Sequence, residues 1–274
     1  MSKIIKIYCE GKRGSHDYDI IEKIIGNSNI LIEPIGSKKG AGSAIQVFEN
    51  LATKSDTYFF FRDRDFDDAV PDTPSLIRKG YILYSHRTTI ENYLLDINRF
   101  FEYLQVEKLQ DKYKISTLSE VQNVFIEAAK KITYYQALRH TMGKMRIPTD
   151  FGTTWIDGSS GTLPDRLNDK PYCRQKALEK VKQAKSQTDS WTEEAFDVVL
   201  NSFCQLFGND SFYNSSQYLI WFQGKDFAKA LGLMLPEFPL KSYYQFAKQH
   251  FDYKQFEDLK ELRDILDKAL TPSV

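Results

Sequence analysis

The first hundred residues alternate between short apolar runs and segments of helical periodicity. Residues 3–9, KIIKIYC, mix β-branched and aromatic side chains and close on Glu10-Gly11, which predicts a buried strand followed by a tight turn. Ser15 is placed to cap a helix in which Tyr18, Ile20, Ile21, Ile24 and Ile25 recur at roughly helical spacing until Gly26-Asn27 ends it. A second strand is predicted over 30–35, then the loop GSKKGAGS and a helix over 44–52. Tyr58-Phe59-Phe60-Phe61 is a continuous apolar run that can face water on neither side, so the third strand belongs in the middle of its sheet. It ends in RDRDFDD, and the breaker-rich VPDTP leads to a fourth strand around 81–85. Strands alternating with helices on short loops predict an α/β fold: a parallel sheet flanked by helices, with right-handed crossovers.

Beyond residue 98 the pattern turns helical. Segments 97–107, 117–139, 171–186, 191–207, 225–233 and 242–269 have helical periodicity or composition, only 211–223 looks strand-like, and loops are expected near 143–165 and 208–214. The organisation predicted is an α/β domain over 1–98 and a mainly helical domain over 99–274 packed on it, with no Ser/Gly-rich or Pro-rich linker between them.

With 274 residues, 42% hydrophobic and 14% aromatic, the chain can bury a large core. The 37 basic and 37 acidic residues balance, so any nucleic-acid contact must come from local patches or from metal rather than from bulk charge. Cys9, Cys173 and Cys204 lie far apart with no CxxC spacing, which argues against a disulfide framework and against a zinc site. The N-terminal apolar stretch is too short for a signal peptide and is interrupted by Lys6 and Glu10; no later run reaches the roughly 18 to 20 apolar residues of a membrane span. The chain reads as cytoplasmic, with no membrane partner.

Ligands of parallel sheets gather outside the carboxyl ends of the strands, and Glu10 and the Asp63/Asp65 pair are both predicted there. If the strand persists through them, Asp63 and Asp65 project from one side while Arg62 and Arg64 point the other way. Carboxylates crowded on one edge repel unless a cation neutralises them, and magnesium prefers oxygen ligands, one or two of them carboxylates, beside waters and substrate phosphates. Glu10 is then a metal ligand or the group that shuttles a proton. The plainer alternative is a strand closed by solvated, helix-capping carboxylates. A calcium loop counted from Asp63 fails, because Asp68 and Pro74 stand where Gly and Glu are required.

These residues resemble the toprim fold of topoisomerases, primases and overcoming-lysogenization-defect nucleases, over roughly the first 95 residues: Glu10-Gly11 closes the first strand and Asp63-Arg64-Asp65 the third. More narrowly, EGK...SHDYDIIEKI, FFFRDRDFD, HRTTIENYLL and the late QGKDFAKAL are similar to toprim-like proteins paired with ATPases, a family that includes the AriB-like nuclease effectors of the PARIS anti-phage system. The resemblance implies that Glu10 is the catalytic acid/base or metal-binding glutamate and that Asp63 and Asp65 bind magnesium, with manganese as a substitute. It also implies a toxic effector held by an AriA-like ATPase sensor and released, as a homodimer, to cut RNA such as tRNA. The crowded acidic tail, Asp67 and Asp68, departs from standard toprim sequences and leaves open which aspartates ligate.

Further candidates surround this core. Glu91 follows the fourth predicted strand and is placed to open a helix across the sheet edge; His86 on the same segment is placed to shuttle a proton or touch phosphate. Lys39 in KKGAGS and Lys225 after Gly224 are candidate substrate cations, although no Walker pattern is present and ATP hydrolysis is not expected. Arg139, Lys144 and Arg146, in the basic stretch that begins at Lys130-Lys131, are candidate nucleic-acid contacts, with Tyr134 and Tyr135 interleaved. For each, a solvated or structural role is the alternative. The expectation is a magnesium-dependent nuclease in antiviral defence; the rivals are a phosphatase with Asp63 as nucleophile, a reading also prompted by haloacid-dehalogenase phosphatases, and a non-catalytic toprim-fold interaction subunit.

Overall fold

β1 (Ile5–Cys9), β2 (Ile30–Pro34), β3 (Thr57–Arg62), β4 (Ile77–Lys79) and β5 (Ile82–Tyr84) form one sheet in the order β2-β1-β3-β5-β4. The structure, a computed structural model, describes residues 5–26, 29–36, 57–66, 70–147, 163, 166–184 and 192–271. The predicted helix over 44–52, the GSKKGAGS loop beyond Gly36, and Asp67 and Asp68 lie outside these residues.

The chain is α/β, and its third apolar run takes the central place that its composition demands. β1 pairs in parallel with both β2 and β3, and β3 in parallel with β5. Phe60 stacks on Tyr8 of the neighbouring strand at 5.0 Å and packs with Tyr58, while Phe59 and Phe61 alternate to the other face; all are buried, as a strand covered on both sides requires. The sheet is mixed rather than purely parallel, because β4 runs antiparallel to β5. Three partly exposed residues, IRK, carry too little pattern to be read as a strand, and Gly80 at φ 61° sets the two-residue hairpin loop that joins them to β5.

The described residues cluster into two compact units. One takes those of Met1–Arg64, Pro71–Ile90 and Gln245–Val274, the other those of Asp65–Val70 and Glu91–Tyr244. In the sheet unit, α1 (His16–Ile25) buries Ile20, Ile21, Ile24 and Ile25, and Ser15 caps it by accepting from the Tyr18 N–H at 3.3 Å. The C-terminal helix of this unit, Glu257–Leu270, buries Leu259, Leu262 and Leu266. Its Arg263 donates to the carbonyls of Ile24 at 3.0 Å and Ile25 at 2.5 Å, satisfying orphan acceptors at the end of α1.

In chain order the helical unit contains α2 (Glu91–Leu94), α3 (Ile97–Val106), α4 (Gln110–Tyr113), α5 (Leu118–Lys144), α6 (Lys170–Ala184), α7 (Glu193–Phe207), α8 (Asp210–Asn214), α9 (Tyr218–Trp221) and α10 (Gly224–Met234). The long α5 starts on a capping box between Thr117 and Glu120 and buries Val121, Phe125, Ala128, Ala129 and Ile132 at helical spacing. Residues 211–223 hold two short helices joined by a turn and no strand: Asn209 caps α8 through the Ser211 N–H at 2.9 Å, and the aromatic residues that mimic a strand, Phe212, Tyr213 and Tyr218, are buried from these short elements. The helical pattern over 242–269 is two helices, α11 (Leu240–Gln249) and α12 (Glu257–Leu270), separated by a turn in which Asp252 accepts from the Lys254 N–H at 3.0 Å. Among the described residues, no helix is long and apolar enough to cross a membrane.

Candidate acidic site

Glu10 and Asp63 follow the carboxyl ends of two adjacent parallel strands. The pairing of β1 with β3 ends at Cys9 opposite Phe61, so the next positions bring Glu10 beside Arg62, and Asp63 comes immediately after. The strand order β2-β1-β3 means that the chain leaves β1 toward one side and returns on the other, which makes the crevice beyond these two strand ends the topological switch point of the sheet. Gly11 makes the turn after Glu10 at φ 84°, where a Cβ would meet Ser15 Oγ at 2.5 Å. Gly11 and Gly36 exchange backbone hydrogen bonds of 2.6 and 2.9 Å, which fixes where Glu10 leaves the strand.

The arginines that flank Asp63 do not point idly away. Arg62 Nε donates to Glu10 Oε1 at 3.1 Å, with side chains only 10% and 19% exposed. Arg64 is fully buried: its Nε donates to the His86 carbonyl at 3.2 Å, its Nη2 to Thr88 Oγ1 at 2.8 Å, and its backbone N–H to Ser85 Oγ at 3.2 Å. The basic residue inside DRD thus ties the end of β3 to the HRTT segment. β3 ends at Arg62, and Asp65 lies in left-handed backbone at φ 51°, so the extended alternation expected to align Asp63 with Asp65 is not formed. Asp65 belongs with the helical unit.

His86 is buried, and its backbone N–H donates to Asp258 Oδ2 at 2.9 Å. Burial holds its imidazole below the ordinary value of 6.5; Arg64 and Arg87 push the same way and Asp258 opposes them. Its Nδ1 is buried with no hydrogen-bond partner among the described residues. The Cys9 thiol is pushed up to about 12, chiefly by burial and further by Asp17 and Glu10, so it stays a neutral thiol at physiological pH.

Among the described residues, no three His, Cys, Asp or Glu side chains come together as a metal-holding group. The donor chemistry at the strand ends is two carboxylates, Glu10 and Asp63. It fits a hard divalent ion that takes one or two carboxylates beside water and phosphate oxygens, and it does not fit a closed site of three protein ligands. Lys39 and Asp67 lie outside the described residues.

Within the helical unit, the ENYLL and QGKD segments, more than a hundred residues apart, pack together. Glu91 opens α2 and is 5% exposed; its Oε1 lies 3.4 Å from Lys225 Nζ, while Oε2 is buried with no hydrogen-bond partner among the described residues. Asn92 Nδ2 donates to the carbonyls of Leu219 at 3.0 Å and Phe222 at 2.8 Å. A Cβ on Gly224 would stand 2.8 Å from both Asn92 Oδ1 and Glu91 Cβ, so only glycine lets the two segments approach this closely. One turn on, Asp226 forms a fully buried ion pair with Arg139, to which Gln136 Nε2 adds a 2.8 Å bond to Asp226 Oδ2 and Gln223 Oε1 accepts from Arg139 Nη1 at 2.6 Å. Arg139 also lies 4.4 Å over the Phe66 ring. Arg139 is therefore an internal clamp and cannot be the nucleic-acid contact that its place in a basic stretch suggests; Lys144 and Arg146 are exposed. Sequence reasoning quoted Asp226 and Lys229 within QGKDFAKAL but gave neither a role; the Lys229 ammonium is held below its ordinary pKa by burial.

A comparison with known protein-family models gives no match, and a comparison with curated proteins gives none either.

Proposed function

We propose that this chain is a magnesium-dependent nuclease of the toprim class, acting on RNA such as tRNA as a toxic effector released by an ATPase sensor. The observation that carries the reading is the placement of Glu10 and Asp63 at the carboxyl ends of β1 and β3, on the two sides of the switch point. When bound, magnesium supplies charge stabilisation at a phosphoryl oxygen and lowers the pKa of water. Glu10 holds a proton acceptor at the crevice, oriented by the Arg62 hydrogen bond. Asp63 offers a second carboxylate, and the buried Arg64 fixes the backbone on which it sits. Asp65 enters the proposed set on the sequence resemblance alone. RNA as substrate, defence as role, the ATPase partner and an active homodimer rest on the sequence resemblance.

The test is incubation of total cellular RNA and plasmid DNA with the purified chain, alone and with its ATPase partner, in magnesium or in EDTA, beside Glu10→Gln protein of unchanged fold. Discrete RNA fragments that require metal and Glu10 support the reading; intact nucleic acid in every arm overturns it. One observation favours the second reading, a non-catalytic interaction subunit: Glu10 is already engaged by Arg62. That reading requires Glu10→Gln to leave biological activity intact.

A further inference from the structure

The helical unit carries a cleft of about 310 Å³ between α5, the start of α6 and the α7–α8 turn, lined by ten residues of which three are lysines and none is acidic. Lys130 and Lys131 come from α5 and Lys170 from the first position of α6. Lys130 is paired with Glu127 at 3.1 Å, whereas Lys131 and Lys170 have no carboxylate within ion-pairing distance among the described residues. Two lysines facing one concavity without a counter-charge repel each other, and an anion relieves that repulsion.

Aromatic rings stand beside these cations. Lys170 Nζ is 5.6 Å from the centroid of the Tyr134 ring and Lys130 Nζ 5.8 Å from that of Tyr213. The Tyr213 hydroxyl is fixed by a 2.6 Å hydrogen bond with Thr133, which immobilises the ring, and the Tyr134 hydroxyl, pushed up to about 12 mainly by burial, remains a neutral donor. The volume lies at the lower end of the roughly 300–1,000 Å³ of small-molecule sites, enough for one nucleotide and far too little for a duplex. Cations that take phosphate, next to aromatic rings that bound a base, are the recognition chemistry of a single nucleotide.

We propose that this cleft is a nucleotide-binding site of the helical unit, with Lys131 and Lys170 holding the phosphate and Tyr134 and Tyr213 bounding the base. The ligand is either a free nucleotide or one unstacked nucleotide of a single strand. The proposal does not depend on the nuclease reading, because binding is read without turnover.

The cleft contains its own reporter. Cys204 lines it, whereas Cys9 and Cys173 are buried, so the alkylation rate of Cys204 senses occupancy. Full-length protein is titrated in EDTA with adenosine monophosphate and, separately, with a fluorescently labelled single-stranded hexanucleotide, with inorganic phosphate and adenosine as controls. Saturable protection of Cys204 from iodoacetamide is expected with at least one nucleotide probe, the more protective one identifying the source. Lys131→Gln combined with Lys170→Gln, substitutions at the surface that leave the circular dichroism spectrum unchanged, are expected to weaken that binding at least about tenfold. No protection by either probe, protection by phosphate alone at equal concentration, or binding indifferent to the two lysines overturns the proposal.

Discussion

Arg62 Nε donates to Glu10 Oε1 at 3.1 Å across the ends of β3 and β1, so the acid at the switch point is held by the residue that precedes Asp63. A metal ion that takes Glu10 as a ligand competes with this guanidinium for the same carboxylate. Arg62→Gln is therefore expected to lower the magnesium concentration needed for half-maximal cleavage, and Glu10→Gln to reduce cleavage at least about 100-fold. A metal titration of both variants checks this; an unchanged midpoint in Arg62→Gln removes Glu10 from the ligand set and leaves it the proton-transfer role.

The Arg139–Asp226 pair has side chains 1% and 0% exposed, with Gln136 and Gln223 completing the network. Removing one partner strands a buried charge, so Asp226→Ala is expected to destabilise the protein by about 3–5 kcal/mol. Replacing both, Arg139→Met with Asp226→Leu, removes the desolvation cost together with the attraction and is expected to recover most of that loss. Urea denaturation of the two single variants and the double variant reads the coupling directly.

Positions along strands were legible in the sequence wherever side chains alone decide them. The run Tyr58–Phe61 places β3 centrally because no face of it tolerates water, and the same logic puts Glu10 and Asp63 at strand ends. What stayed illegible depends on partners distant in sequence. Arg139 reads as part of a basic stretch until Asp226, 87 residues later, buries it. Arg64 reads as an outward side chain until the HRTT segment supplies its acceptors. The two-residue alternation of Asp63 and Asp65 assumes a strand that in fact stops at Arg62, and no local residue announces that stop. Residues 211–223 mislead for the opposite reason: aromatic content favours a strand, while the Asn209 cap and burial from short turns decide for helix.

Two glycines of the helical unit should respond in opposite directions to the same added methyl group. A Cβ on Gly143 would come 2.4 Å from the Phe66 carbonyl oxygen, a backbone atom that cannot swing aside, whereas a Cβ on the exposed Gly232 of α10 meets nothing within 4 Å. Gly143→Ala is expected to cost about 1–3 kcal/mol through overpacking. Gly232→Ala is expected to gain roughly 0.5–1 kcal/mol, because alanine loses less backbone entropy in a helix. Thermal melts of the two variants, measured side by side, settle both signs.

His86 supplies the pH dependence. Its folded-state pKa lies below the ordinary 6.5, first because burial disfavours the imidazolium and then because Arg64 and Arg87 repel it, with Asp258 partly offsetting them. The unfolded chain consequently binds a proton at a higher pH than the folded one does. Stability contributed by neutral His86 is fully present above pH 6.5 and is lost as pH falls from there toward the lower folded value, with a slope of at most about 1.4 kcal/mol per pH unit. His86→Gln removes the titrating ring but keeps the backbone N–H that donates to Asp258, so it should flatten this part of the profile without unpinning the segment. Unfolding free energies measured between about pH 5 and pH 8 for the two proteins test the assignment. Parallel profiles would mean that His86 titrates alike in the folded and unfolded chain and that another group carries the acid sensitivity.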